Sequence, residues 1–258
     1  MSEATERGER FRALHRGPPF VVPNPWDAGS ARVLAAHGFQ ALATTSSGFA
    51  FTLGRRDGDV TLDEIVAHVE SLVGATDLPV TVDLEDGKDD PARAIEAVAA
   101  AGAVGASIED WSGGRILELA EAIARLRDAV AAAGTLDFPF TLTARAENHV
   151  HGVDDVADTI ARLRAYAAAG GDVLYAPGLR DSADLRRVRA AVDQPLNVLA
   201  LRGMSLAEIV EAGAQRISVG GGLAWVAAHA LADAAAAIQD RGDFSVLRDS
   251  SAVREWLS

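Results

Sequence analysis

Residues 79–110 read PVTVDLEDGKDDPARAIEAVAAAGAVGASIED, and this stretch decides the fold. Its ends, 79–84 and 105–110, are short apolar runs without polar alternation, the pattern of strands covered on both faces. Between them Asp90 precedes Pro91, an N-cap followed by proline at the first helical position. Apolar residues recur at helical spacing up to Gly102, which follows an Ala-rich last turn and suits a left-handed C-cap. Strand, helix and strand in roughly thirty residues make one βαβ unit with parallel strands.

The unit repeats in both directions. Further strands are expected at 19–22 (PFVV), 41–46 (ALATTS), 140–145 (FTLTAR), 173–177 (VLYAP), 196–200 (LNVLA) and 216–221 (RISVGG). Gly38, Gly170 and Gly213 close helices as Gly102 does, Asp27 reads as an N-cap, and Asp63 and Glu64 as acids of a first helical turn. Eight strands alternating with helices over 258 residues predict one (β/α)8 barrel domain spanning 1–258. A doubly wound sheet would favour G-x-G-x-x-G after the first strand, where this chain has PNPWDAGSA. Residues 1–16 are expected to add a helix before the barrel, and 244–258 to form a terminal one.

Composition narrows the chemistry. The formal net charge of −13 argues against nucleic acid or an anionic membrane as partner. The absence of cysteine excludes disulfides, thiolate metal sites and thiol acid/base groups. Lys88 is the single lysine; in Asp-Gly-Lys-Asp-Asp it is expected to be solvated and protonated, which disfavours Schiff-base chemistry. No signal-type or membrane-spanning run is present, and a cytoplasmic protein is expected.

In such a barrel the chemistry sits at the C-terminal ends of the strands. Those positions carry Asn24 to Asp27, Ser46 to Gly48, Asp57, Asp83, Glu85, Glu109, Arg145, Glu147 and Asn197. Carboxylates on adjacent strands cannot all stay ionised unless a cation or a proton intervenes. A site of oxygen ligands suits Mg2+, with Mn2+ as the variant. Arg145 suits a substrate carboxylate, which its guanidinium can fork. Gly220 to Gly222 fit a phosphate site or a plain turn equally well. His149-Val150-His151 is read as ordinary surface, and Trp225, His229 and Trp256 as helix packing.

With PNPWDAGSARVLAAHGFQALATTSSGFA, LGRRDGDVTLDE, PVTVDLEDG, GAVGASIED, TARAE, PLNVLA and RISVGGGLAW in this order, the chain resembles the isocitrate lyase/phosphoenolpyruvate mutase superfamily. The resemblance covers about Phe20 to Ala230. It implies a barrel whose last helix is exchanged between subunits of a homodimer or homotetramer, and Mg2+-dependent chemistry on small 2-oxo or 2-hydroxy carboxylic acids. By position it implies Asp83 as the metal-binding aspartate, with Glu85 and Glu109 holding the metal mainly through water. Ser47 and Gly48 resemble the turn that binds a substrate carboxylate or oxo oxygen, Trp26 a pocket-wall aromatic and Asn197 a pocket-lining residue. Arg145 resembles the substrate-binding arginine, and Asp57 the loop aspartate near the reacting centre, which makes it the first choice as general base, ahead of Glu147.

One departure matters. Lyases of the family carry a mobile Lys-Lys-Cys-Gly-His type segment after the strand-4 glutamate, and phosphonate-handling members carry a lysine there. This chain reads Trp111-Ser112-Gly113-Gly114-Arg115, expected to be a short turn into the next helix. The expectation is a lyase or hydrolase that cleaves a C–C bond through an enolate, but not isocitrate lyase. The alternatives are a C–P bond enzyme of phosphonomutase or phosphonopyruvate type, and a barrel that binds metal and carboxylate without catalysis.

Overall fold

The computed structural model describes residues 2–256. Helix α1 (Glu3–Leu14) comes first and is capped by Ser2. Then alternate β1 (Phe20–Val22), α2 (Ala28–Ala36), β2 (Leu42–Ala43), α3 (Ser46–Thr52), α4 (Leu62–Ala75), β3 (Val80–Asp83), α5 (Pro91–Ala100) and β4 (Gly105–Glu109). After a hairpin, β5 (Trp111–Ser112) and β6 (Arg115–Ile116), follow α6 (Leu119–Ala133), β7 (Thr141–Arg145), α7 (Val156–Ala169), β8 (Val173–Tyr175) and α8 (Ser182–Ala191). The chain ends in β9 (Leu196–Leu199), α9 (Leu206–Glu211), β10 (Arg216–Ser218), α10 (Gly222–Arg241) and α11 (Ser251–Glu255).

Eight parallel strands run in the order β1-β10-β9-β8-β7-β4-β3-β2 and make a nearly closed (β/α)8 barrel. At the seam, Ala43 donates its N–H to the Pro23 carbonyl at 3.0 Å. Buried Asn24 bridges the same seam, donating to the Thr44 carbonyl at 2.9 Å and accepting from the Val219 N–H at 2.9 Å. The core lies between strands and helices, with Leu142, Leu163, Leu174, Leu196 and Ile217 among its fully buried side chains. The expected caps form: Asp27 accepts from the Ser30 N–H, Asp90 from the Arg93 N–H, and Gly38, Gly102, Gly170 and Gly213 all have φ between +81° and +106°.

Some expectations are corrected. Strand two is Leu42–Ala43 only, because Thr45 caps α3 and turns Ser46 into a helix. The segment after Glu109 is a β-hairpin with Gly113 and Gly114 at φ +59° and +79°, and the helix starts only at Leu119. A helix over 244–258 is not formed: 244–250 are irregular, α11 holds five residues, and Leu257 and Ser258 lie outside the described residues. The long terminal helix is instead α10, of whose 20 residues only Ala224 and Ala237 are buried. Trp225 on it, though 43 % exposed, packs edge-on against Phe51 of α3 at 5.3 Å as expected, whereas His229 is exposed. Trp256 does meet another ring, edge-on to His37 at 5.0 Å. Among the described residues no helix is long and apolar enough to cross a membrane.

Candidate active site

Two connected cavities occupy the C-terminal end of the barrel. The inner one, about 210 Å3, sits among strand ends and is lined by Thr45, Ser47, Asp83, Ser107, Tyr175, Asn197 and Arg216, among others. The outer one, about 800 Å3, is walled by loops carrying Asp57, Glu85, Lys88, Glu109, Glu147 and His151. Arg145 and Asp57 line both.

Arg145, at the end of β7, is the hub. Its Nη1 lies 3.1 Å from Glu109 Oε2 and 3.4 Å from Asp83 Oδ1, and its Nε contacts Glu147 Oε1. The guanidinium also stands over the Tyr175 ring at 5.3 Å. Burial pulls its proton affinity down, but attraction to Glu109, Glu147 and Asp83 wins and holds it well above the ordinary value. Arg145 is therefore committed to protein carboxylates here, and is not a free fork for a substrate as the sequence suggested.

The carboxylates are crowded. Burial raises Glu109 well above its usual range against the pull of Arg145, and raises Glu147 likewise. Asp57 is raised by burial too, with a hydrogen bond to Ser46 opposing. Glu85 is raised by burial although Lys88 Nζ sits 2.6 Å from its Oε2. Its Oε1 is buried with no hydrogen-bond partner. Glu85 and Lys88 both have positive φ, +53° and +57°, without being glycine. That costs about 1–3 kcal/mol each, and such strain clusters at functional sites. The loop is held in this shape by Arg125 of α6, which donates to the Asp86 carbonyl at 2.7 Å and to the Lys88 carbonyl.

Among the described residues no three of His, Asp and Glu are gathered closely enough to hold an ion. Asp83, Glu85 and Glu109 are thus not one cage: two of them face Arg145, the third Lys88. The donors still suit a hard cation. Asp57, Asp83, Glu85, Glu109 and Glu147 carry more negative charge than Arg145 and Lys88 offset. Mg2+ keeps several waters and needs only one or two carboxylates directly.

Other expected site residues fare unevenly. Ser47 lines the inner cavity. Gly48 lies behind it, buried, and its N–H is spent on Thr45 Oγ1 at 3.3 Å. A Cβ at Gly48 would sit 2.6 Å from Thr45 Cγ2 and 3.3 Å from the Trp26 Cβ. Trp26 packs there and accepts a hydrogen bond from His68 at its carbonyl, and neither Gly48 nor Trp26 lines either of the two cavities. Asn197 reaches the inner cavity, but its amide is bound to Ser218 and Arg216 at 3.0 and 2.9 Å.

Several residues at the site were misread or missed. Lys88 is not solvated, with 16 % of its side chain exposed in its pair with Glu85. His149 is not surface either: its side chain is 3 % exposed and bonded to Thr159 at 2.7 Å. His151 is exposed, as expected, but also lines the outer cavity, stacked on Trp111 with ring centroids 3.4 Å apart. Asp110, 1 % exposed, accepts from the Glu147 N–H at 2.7 Å, Tyr166 Oη at 2.6 Å and Arg162 at 3.0 Å, and so fixes Glu147 from behind.

Comparison with known proteins agrees with this architecture. The phosphoenolpyruvate phosphomutase family matches residues 11–239, most of the chain. The chain belongs to this family. Within the phosphoenolpyruvate mutase/isocitrate lyase superfamily it is a lyase-type enzyme. A candidate lyase/mutase from Burkholderia cenocepacia J2315, known from its crystal structure, is 45 % identical with a TM-score of 0.95, covering 99 % of this chain and 97 % of its own. An uncharacterized protein of Mycobacterium tuberculosis is 31 % identical over 88 % of this chain and 87 % of its own. The 2-methylisocitrate lyase of Escherichia coli K12 is 29 % identical over 80 % of this chain and 71 % of its own.

Proposed function

We propose that the protein is a Mg2+-dependent lyase or hydrolase that cleaves a C–C bond in a small 2-oxo or 2-hydroxy carboxylic acid through an enolate. The observation that carries this reading is the carboxylate ring around Arg145, short of positive charge, above an inner cavity sized for a small acid. Asp83 would hold the ion, with Glu85 and Glu109 reaching it through water, and the buried Glu85 Oε1 fits that part. A bound Mg2+ would supply polarisation of the substrate oxygens and offset enolate charge.

The remaining roles fall to the chain itself. A cation in the carboxylate ring would compete with Arg145 for those acids and free the guanidinium to meet the substrate carboxylate. Asp57, on the loop over both cavities, is placed to receive a hydroxyl or water proton, and burial suits it to hold one. Ser47, Ser107 and Ser218 line the inner cavity with small hydroxyl groups that can donate to oxygens. The fit is to a small polar acid in a cytoplasmic enzyme, with no nucleic-acid or membrane partner.

Substitution of Asp83 by Ala is expected to abolish Mg2+ binding by calorimetry and turnover on a panel of oxaloacetate, malate-type acids and phosphonopyruvate, while circular dichroism stays native. Tight Mg2+ binding retained by that variant would sink the assignment.

The same proposal extends to assembly. Val226 and Leu231 on α10 are 66 % and 70 % exposed, and Phe244 and Leu247 beyond it 64 % and 66 %. Large apolar side chains exposed to this extent call for cover. Helix exchange with a second copy provides it in a homodimer or homotetramer. Light scattering at micromolar concentration is expected to show an oligomer, and a monomer would count against it.

A further inference from the structure

We propose, on the lyase reading above, that His151 is the catalytic acid/base that exchanges a proton with the enolate carbon. Breaking a C–C bond beside the 2-oxo group of such an acid leaves an electron pair on carbon, and that carbon must receive a proton. The hairpin after Glu109 offers no group for this, since Arg115 cannot give up a proton. The cavity wall does.

Among the described residues His151 is the imidazole that lines the outer cavity, together with Asp57, Glu109 and Arg145. It is held on two sides. Its ring lies within 5° of parallel to Trp111 of the hairpin. Its Nε2 lies 3.7 Å from Glu147 Oε2, a charge contact longer than a hydrogen bond. The backbone repeats the link, because the His151 N–H donates to the Glu147 carbonyl at 3.1 Å. Glu147 is anchored in turn by Arg145 and by Asp110. The imidazole is thus tied to the Arg145 hub through Glu147, with Nε2 on the Glu147 side and the ring at the cavity wall.

The charged groups facing the ring are Glu147 and Arg145 from the end of β7 and Asp110 from the end of β4. Burial and Arg145 lower the proton affinity of His151, and Asp110 opposes them. The ring is therefore neutral at neutral pH and able to accept a proton, while Glu147 gives the imidazolium a counter-charge.

The step balances without a co-reactant. The C–C bond breaks and its electron pair stays on the carbon next to the 2-oxo group, as an enolate of pyruvate type. The substrate hydroxyl proton goes to Asp57 and passes through water to the neutral His151, and the imidazolium so formed gives it to the enolate carbon. One proton has moved from oxygen to carbon, and both residues regain their starting states.

The reverse of the carbon step can be read alone, as exchange of pyruvate methyl hydrogens for deuterium, followed by proton NMR with the Mg2+-loaded protein. The native protein is expected to catalyse the exchange, with a rate that rises with pH through the His151 pKa and then levels off. His151→Gln is expected to lose at least about a hundredfold, as removal of a positioned acid/base does, and to lose that pH limb. Oxalate, a mimic of the pyruvate enolate, should bind both proteins within about twofold by calorimetry, since binding needs no proton transfer. Exchange within about threefold of native in His151→Gln would overturn the assignment, as would a native protein that binds oxalate but exchanges nothing. If the native protein neither binds oxalate nor exchanges pyruvate hydrogens, the lyase reading falls and His151 with it. If His151→Gln loses oxalate binding as well, the residue is a structural part of the pocket, and the proposal fails on that ground alone.

Discussion

Two buried arginines in one barrel live in opposite surroundings. Arg145 at the mouth faces Asp83, Glu109 and Glu147, and its proton affinity is raised. Arg216, at the start of β10 on the barrel floor, pairs with no carboxylate among the described residues. It donates to Asn197 Oδ1 at 2.9 Å and Thr143 Oγ1 at 2.8 Å, and its pKa is pushed down to about 10 by burial. The mouth is short of cations and the floor of anions. A small acid lying between them meets uncompensated positive charge below, and above it a carboxylate ring that a cation can neutralise. The barrel interior is therefore polarised along its axis before any ligand arrives.

The largest expected effect comes from breaking the mouth. Arg145→Met leaves three buried carboxylates facing one another, and breaking such a cluster costs about 3–5 kcal/mol. Urea unfolding should show that loss, and turnover should fall by at least about a thousandfold. A variant that stays within about 1 kcal/mol of native would show that protonation of Glu109 and Glu147 already relieves the repulsion.

The floor should respond to acid. His15 donates from Nδ1 to the Phe11 carbonyl at 2.9 Å, and its Nε2 accepts from Arg216 Nη1 at 3.5 Å. Burial, aided by Arg216, lowers its pKa from 6.5 to about 3. Nearer the mouth, His68, stacked on Phe49, falls to about 4, chiefly through burial. In both cases the unfolded chain binds the proton more readily than the folded one. Stability is thus complete above about pH 6.5 and is lost as pH falls toward the folded values. Between about pH 7 and 5 each histidine should cost about 2 kcal/mol. Denaturant titrations at the two pH values check this, with His15→Leu expected to remove its share. A flat profile would mean that the floor admits protons easily.

Arg216→Met should matter less than Arg145→Met. It removes a desolvated cation without leaving a charge unpaired, although Asn197 Oδ1 loses a partner. The two terms oppose, and the net change should stay within about 2 kcal/mol. The His15 imidazole should titrate at higher pH in this variant, visible by NMR, because the repelling charge is gone. A loss as large as for Arg145→Met would erase the contrast between mouth and floor.

The barrel was legible because its cues are local. Asp90-Pro91 and the glycines at 38, 102, 170 and 213 punctuate the chain where the structure turns, and the strands are apolar on both faces. Asp83, Glu109 and Arg145 were legible because a strand end fixes a residue's position on the mouth. What the sequence hid depends on contacts across the barrel. His151 looks like a polar loop residue until Trp111, 40 positions earlier, comes to lie under it. Lys88 looks solvated until its own loop folds back onto Glu85. Gly48 looks like an anion-binding turn until Thr45 takes its N–H. The hairpin at 111–116 did carry a local cue, since Gly-Gly between short runs suits a tight turn with positive φ at both positions.

The smallest effect is expected at that hairpin, where the mouth meets solvent. In the superfamily's lyases the corresponding segment is a mobile loop that closes on the substrate. Here Trp111 pairs with Ile116 and Ser112 with Arg115, and the ends are pinned by the Leu117 N–H on the Asp110 carbonyl at 2.7 Å. Ser112 Oγ also reaches Asp86 Oδ2 at 2.5 Å. Arg115 points away from this frame: its side chain is 54 % exposed and paired with Glu121, itself 45 % exposed. An exposed pair of that kind contributes about 0–1 kcal/mol. A pinned hairpin with no titrating group can neither close as a lid nor deliver a proton. Arg115→Ala should therefore keep turnover within about tenfold of native, roughly 1.4 kcal/mol of barrier. The native protein should leave isocitrate and 2-methylisocitrate uncleaved in a coupled assay, despite its likeness to the Escherichia coli enzyme. An Arg115→Ala variant as inactive as Arg145→Met, or robust cleavage of either substrate, would make the hairpin a working part of the mouth, and the carbon proton would then have to be sought there.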